Sequence, residues 1–356
     1  MIHVTKPYLP ERKKLDKYLD KVYESSWLTN NGPLVNELTE KLSEYLGVKN
    51  LLLVNNGTLA LQIAYRALNV NAQASALTTP FSFIATASTL KWEGLSVEFS
   101  DIDPSTYCLD PKKLSGKHDV IVPVHVFGNS CDIDGIQKYA EEKNAKVVYD
   151  GAHSFGVRYK GKSIFEYGDA TTMSFHATKL FHTAEGGAIV FKDREALDRA
   201  RLLINFGING PDSIVGIGIN SKMNELQAAM GLSVLEEISI IFEKREEVWN
   251  YYQEKLNGLV GLQTLCKHST NNFAYFPILL KGESEMLKIK DGLNCLGIFP
   301  RRYFYPSLDT IGYLGCQSVQ PISRDIASRI LCLPVYPDLV EGKLYRHVVE
   351  SLLKVL

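Results

Sequence analysis

Apolar and polar positions follow two rhythms along this chain. Residues 11–26 place Leu15, Tyr18, Leu19, Val22 and Tyr23 at helical spacing. Asn30-Asn31-Gly32-Pro33 then breaks the chain, and a second amphipathic helix runs from Leu34 to Leu46. From residue 51 the rhythm changes. Short apolar runs at Leu51–Val54, Ala76–Thr79, Val97–Phe99, Val120–Val124, Lys146–Tyr149, Thr171–Phe175 and Gly187–Phe191 predict buried strands. Helical segments are expected between them at Thr58–Leu68, Phe83–Trp92 and Asp134–Glu142, with Asp134 as the cap of the last, and Glu195–Ile204 follows the final strand. Strands alternating with helices imply an α/β fold, a mostly parallel sheet covered on both faces. Ligands of such sheets collect at the carboxyl ends of the strands. Helices resume at Asn224–Val234 and Ile238–Leu256, and the pattern then mixes short strands and helices. The expected division is a large domain over 1–245 and a smaller α+β domain over 246–356.

Composition narrows the partners. The chain has 356 residues, 45% apolar and 22% charged, enough for a substantial core. A net charge of -1 provides no basic excess for a nucleic-acid backbone. The six cysteines, Cys108, Cys131, Cys266, Cys295, Cys316 and Cys332, form no C-x-x-C pair, so they are expected to be buried reduced thiols and no metal site is expected. The N-terminus lacks an apolar signal region, and no apolar run approaches the ~18 residues of a membrane span. The expectation is a soluble, cytoplasmic protein.

Some matches carry no function. Gly156-Val-Arg-Tyr-Lys-Gly161-Lys162-Ser163 fits the P-loop expression letter for letter. No long helix can start before Gly168-Asp169, and Val157, Arg158 and Tyr159 favour a strand, so a hairpin turning at Lys160-Gly161 is expected. Asn56-Gly57-Thr58 is a glycosylation sequon without a secretory signal. No G-x-G-x-x-G follows a strand, and there is no H-E-x-x-H.

Three features at three strand ends do carry chemistry together. Asn55-Asn56-Gly57-Thr58 joins a strand to a helix, where free N–H groups suit a phosphate. Asp150 ends another strand, where a carboxylate can keep a pyridine nitrogen protonated. Ser174-Phe-His-Ala-Thr-Lys179 leaves a third, placing a lysine where a Schiff base could form, with Ser174 and His176 as polar neighbours. Taken singly these read as a tight turn, a helix cap and a surface lysine. In that order on an alternating chain they fit pyridoxal 5'-phosphate better than any other cofactor.

At these residues the chain resembles the DegT-type sugar aminotransferases, which share the type I pyridoxal-phosphate fold. The resemblance spans Trp27-Leu-Thr-Asn-Asn-Gly-Pro33, Asn56-Gly-Thr58, Thr79-Pro-Phe-Ser-Phe83, Val122-Pro-Val-His-Val-Phe-Gly128 and Asp150-Gly-Ala-His153. It continues through Ser174–Lys179, Glu185-Gly-Gly187, Gly218-Ile-Asn220, Met223-Asn-Glu225 and Leu333-Pro-Val-Tyr336. It implies that Lys179 holds the cofactor and later carries a proton, and that Asp150 partners the pyridine nitrogen. It implies that Phe83 stacks on the ring with His153 on its other side, and that Gly57, Thr58 and Ser174 bind the phosphate. Asn220 matches a residue that reaches the phosphate of the neighbouring subunit, which implies a homodimer with shared sites. Thr29, Asn30, Arg302 and Tyr303 match positions near the nucleotide-sugar substrate or the amino donor. Many members carry arginine where this chain has Lys222, and lysine lacks the bidentate fork.

Val4-Thr-Lys-Pro-Tyr-Leu-Pro10, Trp27–Pro33 and Arg302-Tyr-Phe-Tyr-Pro-Ser307 look closest to one subgroup. It aminates the C4 keto group of a dTDP-linked 4-keto-6-deoxy sugar, with L-glutamate becoming 2-oxoglutarate. Transfer to a 3-keto, UDP- or GDP-linked sugar is the nearest alternative. A dehydratase relative would carry histidine in place of Lys179, and a regulatory relative would lose the lysine or add a DNA-binding domain. The chain does neither.

Overall fold

The computed structural model describes residues 1–315 and 318–356. Its strands are β1 (Ile2–His3), β2 (Leu51–Val54), β3 (Ser75–Thr78), β4 (Ser96–Phe99), β5 (Val120–Val122), β6 (Lys146–Asp150), β7 (Arg158–Tyr159), β8 (Lys162–Ser163), β9 (Ala170–Ser174), β10 (Gly187–Phe191), β11 (Gly261–Leu262), β12 (Phe276–Leu279), β13 (Ile298–Phe299) and β14 (Ile330–Leu333). Seven form the central sheet in the order β2-β10-β9-β6-β5-β3-β4. Its pairs are parallel except at β10, which runs antiparallel to both β2 and β9.

The continuous apolar runs resolve into two faces with a period of two. Leu51, Leu53, Val147, Tyr149, Ala188 and Val190 join one core cluster. Leu52, Val54, Val148, Ile189 and Phe191 join the other. The first face is covered by helices Pro33–Leu46, Ile133–Lys143 and Glu225–Leu235, the second by Gly57–Ala67, Ile84–Trp92 and Arg194–Leu203. This is the expected mostly parallel α/β architecture.

A third cluster unites Val248, Tyr252 and Leu256 with Phe276, Ile278, Ile289, Leu331 and Leu352 around the small sheet β11-β12-β14. Ile2 belongs to it as well, because β1 pairs in parallel with β13. Position 245/246 lies inside helix Ile238–Leu256.

Local details refine the sequence reading. The helix at 133–143 is capped by Asp132, whose carboxylate accepts from Gly135 N at 3.1 Å, and not by Asp134. Asp134 instead accepts from Tyr159 Oη at 3.1 Å and pairs with Lys160. The P-loop look-alike is the hairpin β7–β8, with Lys160 and Gly161 at positive φ in its turn. Cys108, Cys131 and Cys332 are buried free thiols, but Cys266 is half-buried and Cys295 is exposed at the end of its helix. Cys316 lies outside the described residues. Among the described residues no helix is long and apolar enough to cross a membrane, and no cluster of His, Cys, Asp or Glu could hold a metal.

Candidate active site

The carboxyl ends of β2, β6 and β9 share one edge of the sheet, and β10 starts there, since Gly187 is in register with both Val54 and Ser174. A cleft of about 730 Å³ opens over this edge. Gly57, Thr58, Phe83, Asp150, His153, Ser174, Lys179 and Tyr303 all line it.

The helix Gly57–Ala67 points its N-terminus into the cleft. Asn56 caps it by accepting from Leu59 N at 2.8 Å. The N–H groups of Gly57 and Thr58 have no partner among the described residues. A Cβ on Gly57 would come within 2.9 Å of Ser174 Cβ, so only glycine lets the helix start this close to β9. Two free N–H groups, a positive dipole end and the Ser174 hydroxyl make an anion cradle.

Asp150 is buried. Its Oδ2 accepts from the Thr86 hydroxyl at 2.8 Å, and Oδ1 accepts from Ala152 N at 3.1 Å. Thr86 shares a 2.7 Å hydrogen bond with Ser82, so three side chains form a short relay that ends on the carboxylate. Each carboxylate oxygen keeps acceptor capacity for a further donor.

The Lys179 side chain is part-exposed along its length, but its ammonium end is desolvated. Burial pushes the amine down to about 8, with Asp150 pulling it back up. Among the described residues it has no ion pair. At pH 7 about one amine in ten is then neutral, against about one in three thousand for an ordinary lysine. Uptake of an aldehyde cofactor by cofactor-free protein should therefore accelerate about tenfold per pH unit up to roughly pH 8 and level off above it. Stopped-flow absorbance checks this, and a rate independent of pH below that point contradicts it.

The walls are aromatic. Phe83 is 55% exposed and its ring is free for a flat ligand. His153 is buried, and desolvation together with the Lys179 charge holds it neutral, well below the usual imidazole range. Its Nδ1 accepts from Phe127 N at 3.3 Å, and its ring stacks on Phe304 at 5.6 Å. Tyr275 and Phe304 extend this wall, and Arg301 and Tyr303 stand beside them.

Asn220, Thr29 and Asn30 lie elsewhere. They line a second, polar cleft of about 440 Å³ with Asn55, Lys222, Asn224 and Gln227; Glu185 lines both clefts. The buried Glu225 carboxylate fixes the 27–33 turn by accepting from Leu34 N at 2.7 Å and Val35 N at 3.0 Å. Lys222 donates to Asn205 at 2.9 Å. Arg302 is also outside the main cleft: it pairs with Glu283, donates to Ser328 O at 2.7 Å, and lies over the Tyr305 ring.

Sequence reading missed Thr86, Ser82 and Arg301. The signal for Thr86 was its place on the inward face of Ile84–Trp92, where a buried hydroxyl needs a partner. We expect Thr86→Val to lower turnover by about tenfold with the fold intact, and Thr86→Ser to restore it. A shift in the pH midpoint of the cofactor's absorbance distinguishes this positioning effect from a packing defect.

The fold, the anion cradle, the buried carboxylate and the desolvated lysine are together those of a type I pyridoxal-phosphate enzyme. Residues 10–353 match the DegT/DnrJ/EryC1/StrS aminotransferase family, and the chain belongs to it. The dTDP-4-amino-4,6-dideoxy-D-glucose transaminase of Shigella dysenteriae is 38% identical, over 99% of this chain and 98% of the relative. A protein of the same name from Escherichia coli is 37% identical over 96% and 95%. The crystal structure of DesI in the presence of its TDP-sugar product superposes with a TM-score of 0.89 at 31% identity, covering 98% of this chain and 91% of that one. Members of the family are pyridoxal-phosphate-dependent aminotransferases, and the residues of this cleft fit that cofactor.

Proposed function

We propose that this protein transfers the amino group of L-glutamate to the C4 keto group of a dTDP-linked 4-keto-6-deoxy-hexose, giving dTDP-4-amino-4,6-dideoxy-D-glucose and 2-oxoglutarate. The observation that carries this reading is Lys179, desolvated and without an ion pair among the described residues, in the same cleft as buried Asp150. The full-length similarity to two transaminases of that name supports the sugar.

Pyridoxal phosphate supplies an electron sink that stabilises negative charge at the carbon that loses or gains the proton. Gly57, Thr58 and Ser174 would hold its phosphate, and Asp150 would keep its ring nitrogen protonated. Phe83 and His153 would flank the ring. Lys179 would be its attachment point and, once released, the base that moves the proton at the reacting carbon. Tyr303 belongs to the substrate side of the cleft.

The reading includes a homodimer with shared sites. The segment 205–220 folds back on itself through the Asn205↔Asn220 and Ile208↔Ile214 bridges. It leaves Phe206, Ile208, Ile214, Val215, Ile217 and Ile219 exposed, an apolar arm suited to a second copy. A partner seated there would bring Asn220, Thr29 and Asn30 of the second cleft to a shared site. The cytoplasm, where activated sugars are made, is the proposed location.

A substrate panel tests the reading. With glutamate as donor, dTDP-, UDP- and GDP-linked 4-keto and 3-keto sugars are offered to the purified protein. Amination of the dTDP-linked 4-keto sugar is expected. Amination only of a 3-keto or a GDP-linked sugar would refute the assigned substrate.

A further inference from the structure

We propose that Arg301 is the anion clamp of the substrate cleft, presenting its guanidinium fork to a carboxylate or phosphate group of the incoming substrate. The assignment rests on the aminotransferase reading above and goes beyond it by naming the residue that holds the substrate's charge.

Arg301 and Arg302 are neighbours in sequence but have opposite fates. Successive residues of an extended strand point to opposite sides. Arg301 is clamped by its backbone: its N–H donates to Cys332 O at 3.1 Å, and Cys332 N donates to Arg301 O at 2.8 Å. With that peptide pinned, its side chain falls on the cleft side, with the guanidinium 4.8 Å from the centre of the Tyr303 ring. Arg302 turns away, and its charge is spent on Glu283 and Ser328 O.

Among the described residues, Arg301 makes no ion pair with any carboxylate. The other basic groups lining the cleft are committed. Lys179 carries the chemistry, His153 is neutral, and His176 sits 3.6 Å from Glu185. Arg301 is thus the one cleft cation among the described residues that neither pairs with a carboxylate nor carries the chemistry.

The two substrates share one need. An amino donor brings a carboxylate beside its reacting carbon, and a sugar nucleotide brings a diphosphate. Each must be oriented with its reacting carbon at Lys179, and each presents a pair of oxygens that a guanidinium can grip with two hydrogen bonds. A face-on tyrosine holds that fork in place at low entropic cost.

Arg301→Gln and Arg301→Lys in the holoenzyme test the proposal. The two half-reactions are followed separately through the visible absorbance of the bound cofactor, first with glutamate alone, then with the sugar nucleotide added to the aminated protein. We expect the half-maximal concentration of at least one substrate to rise roughly 10- to 100-fold in Arg301→Gln, with a smaller rise in Arg301→Lys, which keeps the charge but loses the fork. A rise confined to glutamate identifies the carboxylate as the anion held, one confined to the sugar nucleotide identifies the diphosphate, and a rise in both marks a shared clamp. Cofactor absorbance and melting temperature should match wild type. Calorimetric titration with dTDP and with 2-oxoglutarate reads the same contact without turnover, and at least one of them should weaken about tenfold or more. Wild-type concentration dependence in both half-reactions, together with unchanged binding of both ligands, overturns the assignment of Arg301. A wild-type protein that aminates no keto-sugar defeats the functional reading instead, and the titrations still decide Arg301.

Discussion

Replacing Lys179 with alanine is expected to abolish the visible absorbance of covalently bound cofactor and to lower turnover by more than about 10³-fold. Two roles end with one amine. Lys179 is the only lysine that lines the cleft among the described residues, and its amine has been brought down to about 8 by burial. His153 is a poor substitute, because burial holds it well below the usual imidazole range, which makes it a weak base, and its Nδ1 already accepts a hydrogen bond from Phe127 N. The cradle at Gly57, Thr58 and Ser174 is untouched, so the cofactor should still bind through its phosphate, more weakly and without the covalent spectrum. Added methylamine should restore part of the activity by supplying the missing base. Absorbance spectra and a timed assay read both effects. A Lys179→Ala protein with wild-type colour and rate would remove the basis of the assignment.

The second large effect is expected at Asp150. Asp150→Asn keeps the size of the side chain and an oxygen for Ala152 N, but removes the negative charge. The ring nitrogen of the bound cofactor would then lose the group proposed to keep it protonated, and the electron sink would weaken. Turnover should fall by roughly 10²- to 10³-fold, in the range of losing one preorganised electrostatic partner. Covalent binding should survive, since Lys179 and the phosphate cradle remain. The two variants are therefore distinguishable: one lacks the covalent spectrum, the other keeps it but is slow. An Asp150→Asn protein within threefold of wild type would show that the carboxylate serves only to order the strand end.

Much of the sheet was legible in the chain because buried strands leave uninterrupted apolar runs. Leu51–Val54 and Gly187–Phe191 needed no adjustment. The reversal of β10 left a fainter trace. The segment 175–186 carries no helical period, and a parallel return would need a crossover helix. β1 was not legible, since two residues carry no period, and only β13 gives them a partner. Asp132 and Asp134 are both sound caps by type, and the true start of the helix decides between them.

The site divided along similar lines. Lys179, Asp150 and Gly57 sit at strand ends, so topology brings them together once the strand order is known. Thr86 is buried mid-helix, and its role depends on which face meets Asp150. Arg301 and Arg302 differ by one step along the backbone, so the bridge to Cys332, far away in sequence, settles which one faces the cleft. Asn220, Thr29 and Asn30 line a cleft of their own in a single chain, and their proposed part in catalysis depends on a second copy.

Nitrogen is expected to pass from an amino acid, through the Lys179 site, to a sugar carbon. Incubation of the purified protein with pyridoxal phosphate, ¹⁵N-labelled glutamate and the dTDP-linked 4-keto-6-deoxy sugar, followed by NMR of the sugar product, tests it most directly. The expected result is ¹⁵N bonded to C4, with an equal amount of 2-oxoglutarate formed. A sugar recovered with its keto group intact, or with label at any carbon other than C4, would contradict it.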